Sequence, residues 1–477
     1  MLLYSQSHHN SDGPKFITLF LKSQGISSKS LDALHAFGIT MSYKWAVEAV
    51  EQLARAQMSE VRDVIKSGQP WFMTHDNVNI PFRTFAQRID RQHHFDSGTA
   101  ATVYTQPHAP PIPAVLFQAL QNQRTTGSKT PITFQKIMSL ECDAAQRLLP
   151  HFRWRILQVL LHAPDFDLTT YSGRDDPVFT PPKPTRELPC GHDYTTKQYV
   201  LETQDVEEAS YDGNLKLLGI WHEQLGLGSR AEKIVTGTDR VGVMGGDQLT
   251  CGRMRGLFKM RCEDHNGYDR LDWLVVVFGW FHLLMAFANS LHRQYLGTGA
   301  GRGLMHAFTI LSRKGLGTVQ TRGPFHQNLH EAISHVAEAH FRTCWKVIGG
   351  VDELAELRDR SPADLAELAN RIVTGMSSSD AIENQDSKPK DQRDELLCQS
   401  AMWNQDALRY LELHNAMKRG DIGLMEDMLP YLLFRFIGGR NSKYAIEILE
   451  LLQSLHFEWP AELRCDSNLV NIGPFGN

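Results

Sequence analysis

The sequence predicts an α+β protein that is mostly helical, with a small mixed sheet surrounded by many helices. After Leu271, apolar side chains recur every three to four residues over most of the chain, which indicates amphipathic helices. Before that point, short apolar or β-branched runs end in turn residues, which indicates a few strands. A hydrophobic content of 42% and a charged content of 22% are typical of a globular protein. This combination favours helices packed around a small sheet.

Helices and strands alternate in the first half of the chain. Helical spacing predicts a helix over 42–67, which Gly68-Gln69-Pro70 ends. A strand over 71–74 is expected to deliver His75-Asp76-Asn77 into a loop, and a β-branched run predicts a second strand over 98–105. The other elements predicted before Leu271 are helices over 134–163 and 214–225, a proline-rich irregular connection over 172–189, and a strand over 240–244.

The second half begins with a strongly apolar stretch at 273–288. It is about 16 residues long, shorter than the roughly 20 that span a membrane, and it contains His282. We therefore expect no membrane span, but a buried strand that runs into a buried helix. Later helices are predicted over 303–312, 329–348, 362–373, 401–419, 425–436 and 442–455.

This pattern divides the chain into four segments. They are a loose N-terminal segment (1–40), a mixed α/β core (41–300), a helical region (301–464) with a polar linker near 377–395, and an atypical short tail (465–477).

Charge and cysteine usage exclude some classes of protein. Lysine and arginine total 49 against 54 acidic residues, a net charge of −5, which argues against nucleic-acid binding over the whole surface. A local basic groove for DNA remains compatible with this net charge, and residues 253–259 are the candidate for it. The seven cysteines are scattered without CxxC spacing, so free thiols in a reducing compartment fit better than a zinc cage. Residues 1–20 lack the pattern of a secretory signal. We expect an intracellular protein, with the nucleus as one candidate compartment.

Two aspartates follow apolar runs, Asp76 after 70–73 and Asp247 after 241–244. Carboxylates at the ends of neighbouring strands can bind Mg²⁺ or Mn²⁺. In ribonuclease-H-like nucleases and transposases, one acid lies on the first strand, another at a later strand end and a third on a helix. Metal ions held by such acids activate a nucleophile and stabilise the leaving oxygen of a phosphodiester. The alternative is structural: Asp76 forms a turn with Asn77, and Asp247 caps the next helix.

Three further residues are candidates for the same site. His282 lies in the apolar stretch, where an imidazole must be hydrogen-bonded or bound to metal to avoid a cost of roughly 1–3 kcal/mol. A hydrogen-bonded core histidine is the alternative. Glu426 and Glu447 lie on late predicted helices and could supply the third acid. The alternative for each is a surface position.

Several motifs resemble a domain of unknown function, numbered 6589, that is abundant in mushroom-forming fungi. They include Gly246-Asp247-Gln248-Leu249-Thr250, Tyr268-Asp269-Arg270-Leu271-Asp272-Trp273, His75-Asp76-Asn77-Val78-Asn79 and Trp403-Asn404-Gln405-Asp406. The similarity extends over roughly residues 20–464. The resemblance implies a mobile-element origin, with no established biochemical role. It also implies a longer polar and acidic tail after Arg464, and this copy would be inactive if that tail contributes to a site.

The leading hypothesis is a divalent-metal-dependent enzyme of the transposase or nuclease type, or a degenerate copy of one, with a ribonuclease-H-like sheet. Asp76, Asp247 and His282 would bind Mg²⁺ or Mn²⁺, Glu447 or Glu426 would complete the catalytic set, and DNA would be the partner. The alternative is a non-catalytic helical interaction protein in which both aspartates are structural caps.

Overall fold

A five-stranded mixed sheet organises the fold in the computed structural model, which describes residues 11–82, 94–298, 303–311 and 326–465. Its strands are β1 (Trp71–Phe82), β2 (His94–Thr105), β3 (Lys197–Val200), β4 (Gly242–Gly246) and β5 (Leu274–Phe278). They lie in the order β3-β2-β1-β4-β5. β1, β2 and β3 pair antiparallel, whereas β4 is parallel to β1 and β5 is parallel to β4.

Helices make up most of the described chain, so the predicted fold class, α+β and mostly helical, is confirmed. Those before β5 are α1 (Asp12–Ser23), α2 (Ser28–Ala36), α3 (Tyr43–Lys66), α4 (Ala114–Gly127), α5 (Phe134–Leu161), α6 (Tyr211–Gln224), α7 (Arg230–Asp239) and α8 (Gln248–Arg261). Those after it are α9 (Trp280–Tyr295), α10 (Leu304–Leu311), α11 (His326–Gly349), α12 (Pro362–Met376), α13 (Ser379–Asp386), α14 (Glu395–Arg419), α15 (Ile422–Gly438), α16 (Ser442–Gln453) and α17 (Ala461–Cys465).

The sheet and the helices around it share one hydrophobic core. β1 enters this core with Trp71, Phe72 and Met73, and β4 is buried along its whole length. Gly245 of β4 lies against Phe72 so closely that a Cβ would be 2.2 Å from the ring atom Cζ. Since real Cβ contacts do not approach this distance, glycine lets the two central strands pack together. The glycines before Asp247 therefore have a packing role.

Two segments that were expected to be irregular contain helices. In the described part of 1–40, α1 and α2 replace the predicted loose segment, and the Thr18 hydroxyl accepts from the Met41 backbone N–H at 2.7 Å to hold α1 in place. The polar stretch near 377–395 contains α13, which Ser378 caps by accepting from the Ala381 backbone N–H at 3.1 Å. A serine cap and a few buried side chains are enough for a short helix despite low apolar content. Residues 466–477, which hold nearly all of the predicted tail, lie outside the described residues.

The apolar stretch at 273–288 divides as expected, into β5 and the first half of α9. None of the helices in the described part of the chain is long and apolar enough to cross a membrane. The cysteines whose side chains are described are free thiols, three of them exposed and three buried.

Candidate functional site

Strand pairing brings Asp76 and Asp247 to the same edge of the sheet. β1 and β4 pair in parallel with Phe72 opposite Val243, an offset of 243 − 72 = 171 positions. The last observed pair is Thr74 with Gly245, two residues before Asp76. If the offset of 171 continued for two more residues, Asp76 would be opposite Asp247, because 247 − 76 = 171. Neighbouring strands lie about 4.8 Å apart. Continued in this way, the register would bring the backbone of Asp76 level with that of Asp247, although the two residues are far apart in sequence.

Asp76 lies within β1, so the prediction that it follows the strand in a loop is wrong. β1 continues to Phe82 because its second half pairs with β2, and Asp76 stands opposite Ala100. A strand over 71–74 was all that the apolar run indicated. The polar residues after it extend the strand through tertiary pairing, which outweighs their low strand propensity.

Each aspartate uses one oxygen for a local hydrogen bond. Oδ1 of Asp76 accepts from the Asn77 backbone N–H at 2.8 Å. Oδ1 of Asp247 accepts from the Thr250 backbone N–H, also at 2.8 Å, and so caps α8. The Asp247 bond is the helix cap that the structural alternative predicts, whereas Asp76 lies in a strand and bonds the next residue, so the expected turn is not formed. No described residue donates a hydrogen bond to either Oδ2, so each carboxylate keeps one oxygen for a ligand.

A third carboxylate, Glu208, lies beside both aspartates. Its Oε1 accepts from Asn77 Nδ2 at 3.0 Å, and its Oε2 accepts from the Thr250 hydroxyl at 3.3 Å. The side chain is only 2% exposed. Burial, then the charge of Asp247 and then that of Asp76, raise the pKa of Glu208 to about 7. The charges of both aspartates therefore reach Glu208 and disfavour its ionised form.

The loop that carries Glu208 is anchored to β2. Thr99 pairs through its backbone with Gln204, with N···O distances of 2.8 and 2.9 Å. Its hydroxyl also donates to the Val206 carbonyl at 2.6 Å. Ser210 then caps α6 by accepting from the Gly213 backbone N–H at 2.9 Å. Glu208 is thus fixed between a strand contact and a helix cap.

His75 also holds the Glu208 carboxylate. Its Nε2 lies 3.1 Å from Glu208 Oε2 and 3.3 Å from Asn214 Oδ1. The Asn214 amide nitrogen donates to the carbonyls of Glu208 and Ser210, at 2.5 and 2.8 Å, so its oxygen must face the imidazole. We therefore assign the ring proton to Nε2, which donates to both oxygens. Burial lowers the pKa of His75 to about 4, so the imidazole is neutral near pH 7.

His282 lies in the first turn of α9, near the same edge of the sheet. The Gly279 backbone N–H donates to the Gly246 carbonyl at 2.9 Å, which joins the start of α9 to the residue before Asp247. A Cβ on Gly279 would lie 3.1 Å from His282 Cδ2 and 3.6 Å from that carbonyl. The imidazole is half-buried and close to the backbone that leads into Asp247.

The two glutamates proposed as the third acid have arginine partners. Glu447 on α16 is buried and pairs with Arg255 of α8. Burial raises its pKa, although Arg255 and the Gln248 amide oppose this shift. Glu426 on α15 pairs with Arg186 at 2.6 Å. Glu447 therefore contacts the helix that Asp247 caps, whereas Glu426 belongs to a separate ion-pair cluster.

The chemistry of these carboxylates suits a hard cation, although they are not drawn together around one. Within the described residues, no group of three or more His, Cys, Asp or Glu side chains has metal-binding geometry. Burial and then the two aspartate charges raise the pKa of Glu208, and a divalent cation would favour its ionised form; carboxylate oxygens are the preferred ligands of Mg²⁺ and Mn²⁺. Asp76, Asp247 and Glu208 are the residues that could hold it.

Sequence reasoning did not identify Glu208. It follows Glu207 and lies two residues before the cap of α6, a place where acids are common because they interact well with a helix N-terminus. Nothing in its local sequence separates it from such ordinary positions. Glu208 is contacted by Asn77 and Thr250, which lie 131 and 42 positions away in the chain.

Comparison with known proteins identifies the family. The model of a family of unknown function (DUF6589) matches residues 127–472, which is most of the chain. The chain belongs to this family. No curated protein and no solved structure matches it. The DUF6589 match includes Glu208, Asp247 and His282 and begins after Asp76, so the β1 part of the candidate site lies outside the matched region.

Proposed function

We propose that this DUF6589 protein is a divalent-metal-dependent nuclease or strand-transfer enzyme. Asp76, Asp247 and Glu208 would be its metal ligands. The observation that carries this proposal is the β1–β4 pairing, whose register, continued two residues beyond its last pair, would bring Asp76 level with Asp247, while the charges of both aspartates act on Glu208. The chemistry requires several carboxylates at one point to hold cations against a phosphodiester.

The sheet supports this proposal. Three antiparallel strands, followed by two strands added in parallel on the β1 side, form the order β3-β2-β1-β4-β5. Ribonuclease-H-like folds have this strand order, with acids on the first strand and at a later strand end that act together, which supports a ribonuclease-H-like sheet as part of the proposal. A likeness of fold is an analogy, so the argument for function depends on the site.

Each part of the site has a proposed task. Bound Mg²⁺ or Mn²⁺ would supply Lewis-acid stabilisation of the phosphate and an activated nucleophile. Asp76 and Asp247 would bind it through their Oδ2 atoms, while their Oδ1 atoms keep the local hydrogen bonds that fix them. Asn77 and Thr250 orient Glu208. His282 lies near the same edge and is a further candidate ligand.

We also propose DNA as the substrate, which fits the mobile-element origin that the sequence motifs imply and would require access to the nucleus. The second candidate function is a non-catalytic interaction protein. The helix cap that Asp247 forms favours it, because capping is a sufficient reason for an aspartate at this position.

Substitution by asparagine separates these two functions. Asparagine caps helices as well as aspartate does but lacks the charge that binds a metal, so Asp247→Asn should leave α8 intact. We expect the full chain to cleave labelled DNA strands in Mn²⁺, and Asp76→Asn and Asp247→Asn to lower the rate by at least about a hundredfold.

The matched control is Glu426→Gln, which removes a carboxylate from the separate ion-pair cluster and should leave the rate unchanged. Unchanged cleavage by Asp247→Asn would contradict the proposal, as would a wild-type chain that cleaves neither DNA nor RNA in Mn²⁺ or Mg²⁺.

A further inference from the structure

Arg253 lies beside the candidate site without an acidic partner. It is six residues after Asp247, so it lies about 9 Å further along α8. Among the described residues, none forms an ion pair with Arg253, and its buried Nε has no hydrogen-bond partner. Arg255, two residues later, is already occupied by Glu447. Of these two arginines, Arg253 is the one whose charge is left for a ligand.

An aromatic ring holds this guanidinium in place. Its carbon lies 5.0 Å from the ring centroid of Tyr211, the first residue of α6. The ring rests on Gly256, where a Cβ would lie 2.1 Å from Tyr211 Cε1. Glycine therefore allows the ring to lie on α8 and to support the arginine by a cation–π contact.

The supported guanidinium lies on the side of α8 that meets the carboxylates. Thr250 and Arg253 are three residues apart, so they share a helix face. Thr250 donates to Glu208, and Tyr211 is only three residues after Glu208. Arg253 is therefore linked to Glu208 through Thr250 on α8 and through Tyr211 at the start of α6.

We propose that Arg253 binds a backbone phosphate of the substrate strand other than the phosphate that reacts. This inference depends on the proposed function and specifies its substrate as a polynucleotide strand. The planar guanidinium matches phosphate oxygens in geometry and charge. The net charge of −5 argues against nucleic-acid binding over the whole surface, but it is compatible with a single cation that binds phosphate locally.

The inference narrows the predicted basic groove at 253–259. Arg255 does not contribute, because Glu447 neutralises it. Lys259 is exposed near the end of α8, about 9 Å beyond Arg253 along the helix. Lys259 thus offers a matched control, since Lys259→Gln removes the same charge from the same helix away from the site.

The inference is tested by equilibrium binding of a fluorescent 20-nucleotide strand to the full chain. The measurement is made in Ca²⁺, so that binding is followed without turnover. We expect Arg253→Gln to weaken binding about tenfold. It should also reduce the slope of log K against log salt concentration by about 0.7, the value for one phosphate contact on a single strand. Arg253→Lys should recover the slope, and Lys259→Gln should match the wild type.

Equal affinity and slope for Arg253→Gln and Lys259→Gln would overturn the inference, and so would a wild-type chain that binds no strand. The DNA-cleavage assay of Asp247→Asn separates the two proposals. If that variant loses cleavage while Arg253→Gln binds like the wild type, the inference fails and the proposed function remains. If Arg253→Gln does not fold, Arg253→Met, which removes the charge and keeps an apolar stem beside Tyr211, provides the same test.

Discussion

At the scale of single residues, Glu208 is the least expected part of the molecule. A buried carboxylate usually has a cationic partner, yet Glu208 is held by an amide, a hydroxyl and a neutral imidazole, with two aspartates nearby. A pocket of this kind disfavours the charged carboxylate until a cation enters it. Cation binding should therefore be linked to proton release from Glu208.

The stability of the metal-free protein should report this arrangement. The pKa of Glu208, about 7, lies above its ordinary 4.5, so the folded chain keeps a proton that the unfolded chain loses between these values. The contribution of Glu208 to the free energy of unfolding therefore falls as pH rises from 4.5 to 7, by roughly 3 kcal/mol. His75 acts in the opposite sense, because its pKa is lowered from 6.5 to about 4 and its contribution rises with pH.

Glu208→Gln removes the first contribution and keeps the second. Urea unfolding at pH 5, 6 and 7 should show the variant gaining stability relative to the wild type as pH rises. Glu207→Gln is the matched control, since Glu207 is the exposed neighbouring acid, and it should show no such trend. A stability difference for Glu208→Gln that does not change with pH would mean that Glu208 is not a destabilised carboxylate.

At the scale of elements, α8 connects the features of the site. Asp247 caps it, Thr250 bonds Glu208 from its first turn, and Arg255 ties it to α16 through Glu447. Glu447 is therefore interpreted as a residue that fixes the orientation of α8, not as a metal ligand. The nearly complete burial of its carboxylate makes this ion pair sensitive to the loss of one partner.

Glu447→Gln should lower the free energy of unfolding by roughly 2–3 kcal/mol, because Arg255 loses its charged partner. The double variant with Arg255→Gln should lose less free energy of unfolding than the sum of the losses in the two single variants, and a double-mutant cycle measures this difference. Glu450→Gln, on an exposed position one turn later, should have little effect. A Glu447→Gln variant that keeps its stability but loses Mn²⁺ binding would identify Glu447 as the third acid after all.

The sequence predicted helical elements better than strands, for physical reasons. Helices such as α3 and α5 repeat an apolar side chain every turn, so their signal is local and long. The second half of β1 is polar and is held by pairing with β2, which no local pattern reveals. Asp76 and Asp247 were predictable because each follows an apolar run. Glu208 was not, and Arg253 was predicted only as one residue of a basic groove, because their significance comes from contacts that only the folded chain creates.

At the scale of the whole molecule, the candidate site is assembled from three distant segments of the chain. β1 supplies Asp76, the loop before α6 supplies Glu208, and the end of β4 supplies Asp247. The DUF6589 match contains the last two and not the first. The proposed site therefore needs the segment before residue 127 for its chemistry, in addition to the strands that this segment adds to the sheet.

Direct Mn²⁺ binding to the full chain, followed by electron paramagnetic resonance of the free ion, tests the central claim most directly. We expect the wild type to bind Mn²⁺, and Asp76→Asn and Asp247→Asn each to weaken this binding at least about tenfold. Glu426→Gln should bind Mn²⁺ like the wild type. Wild-type affinity in both asparagine variants, or no Mn²⁺ binding by the wild type, would contradict this claim and leave both aspartates as structural residues.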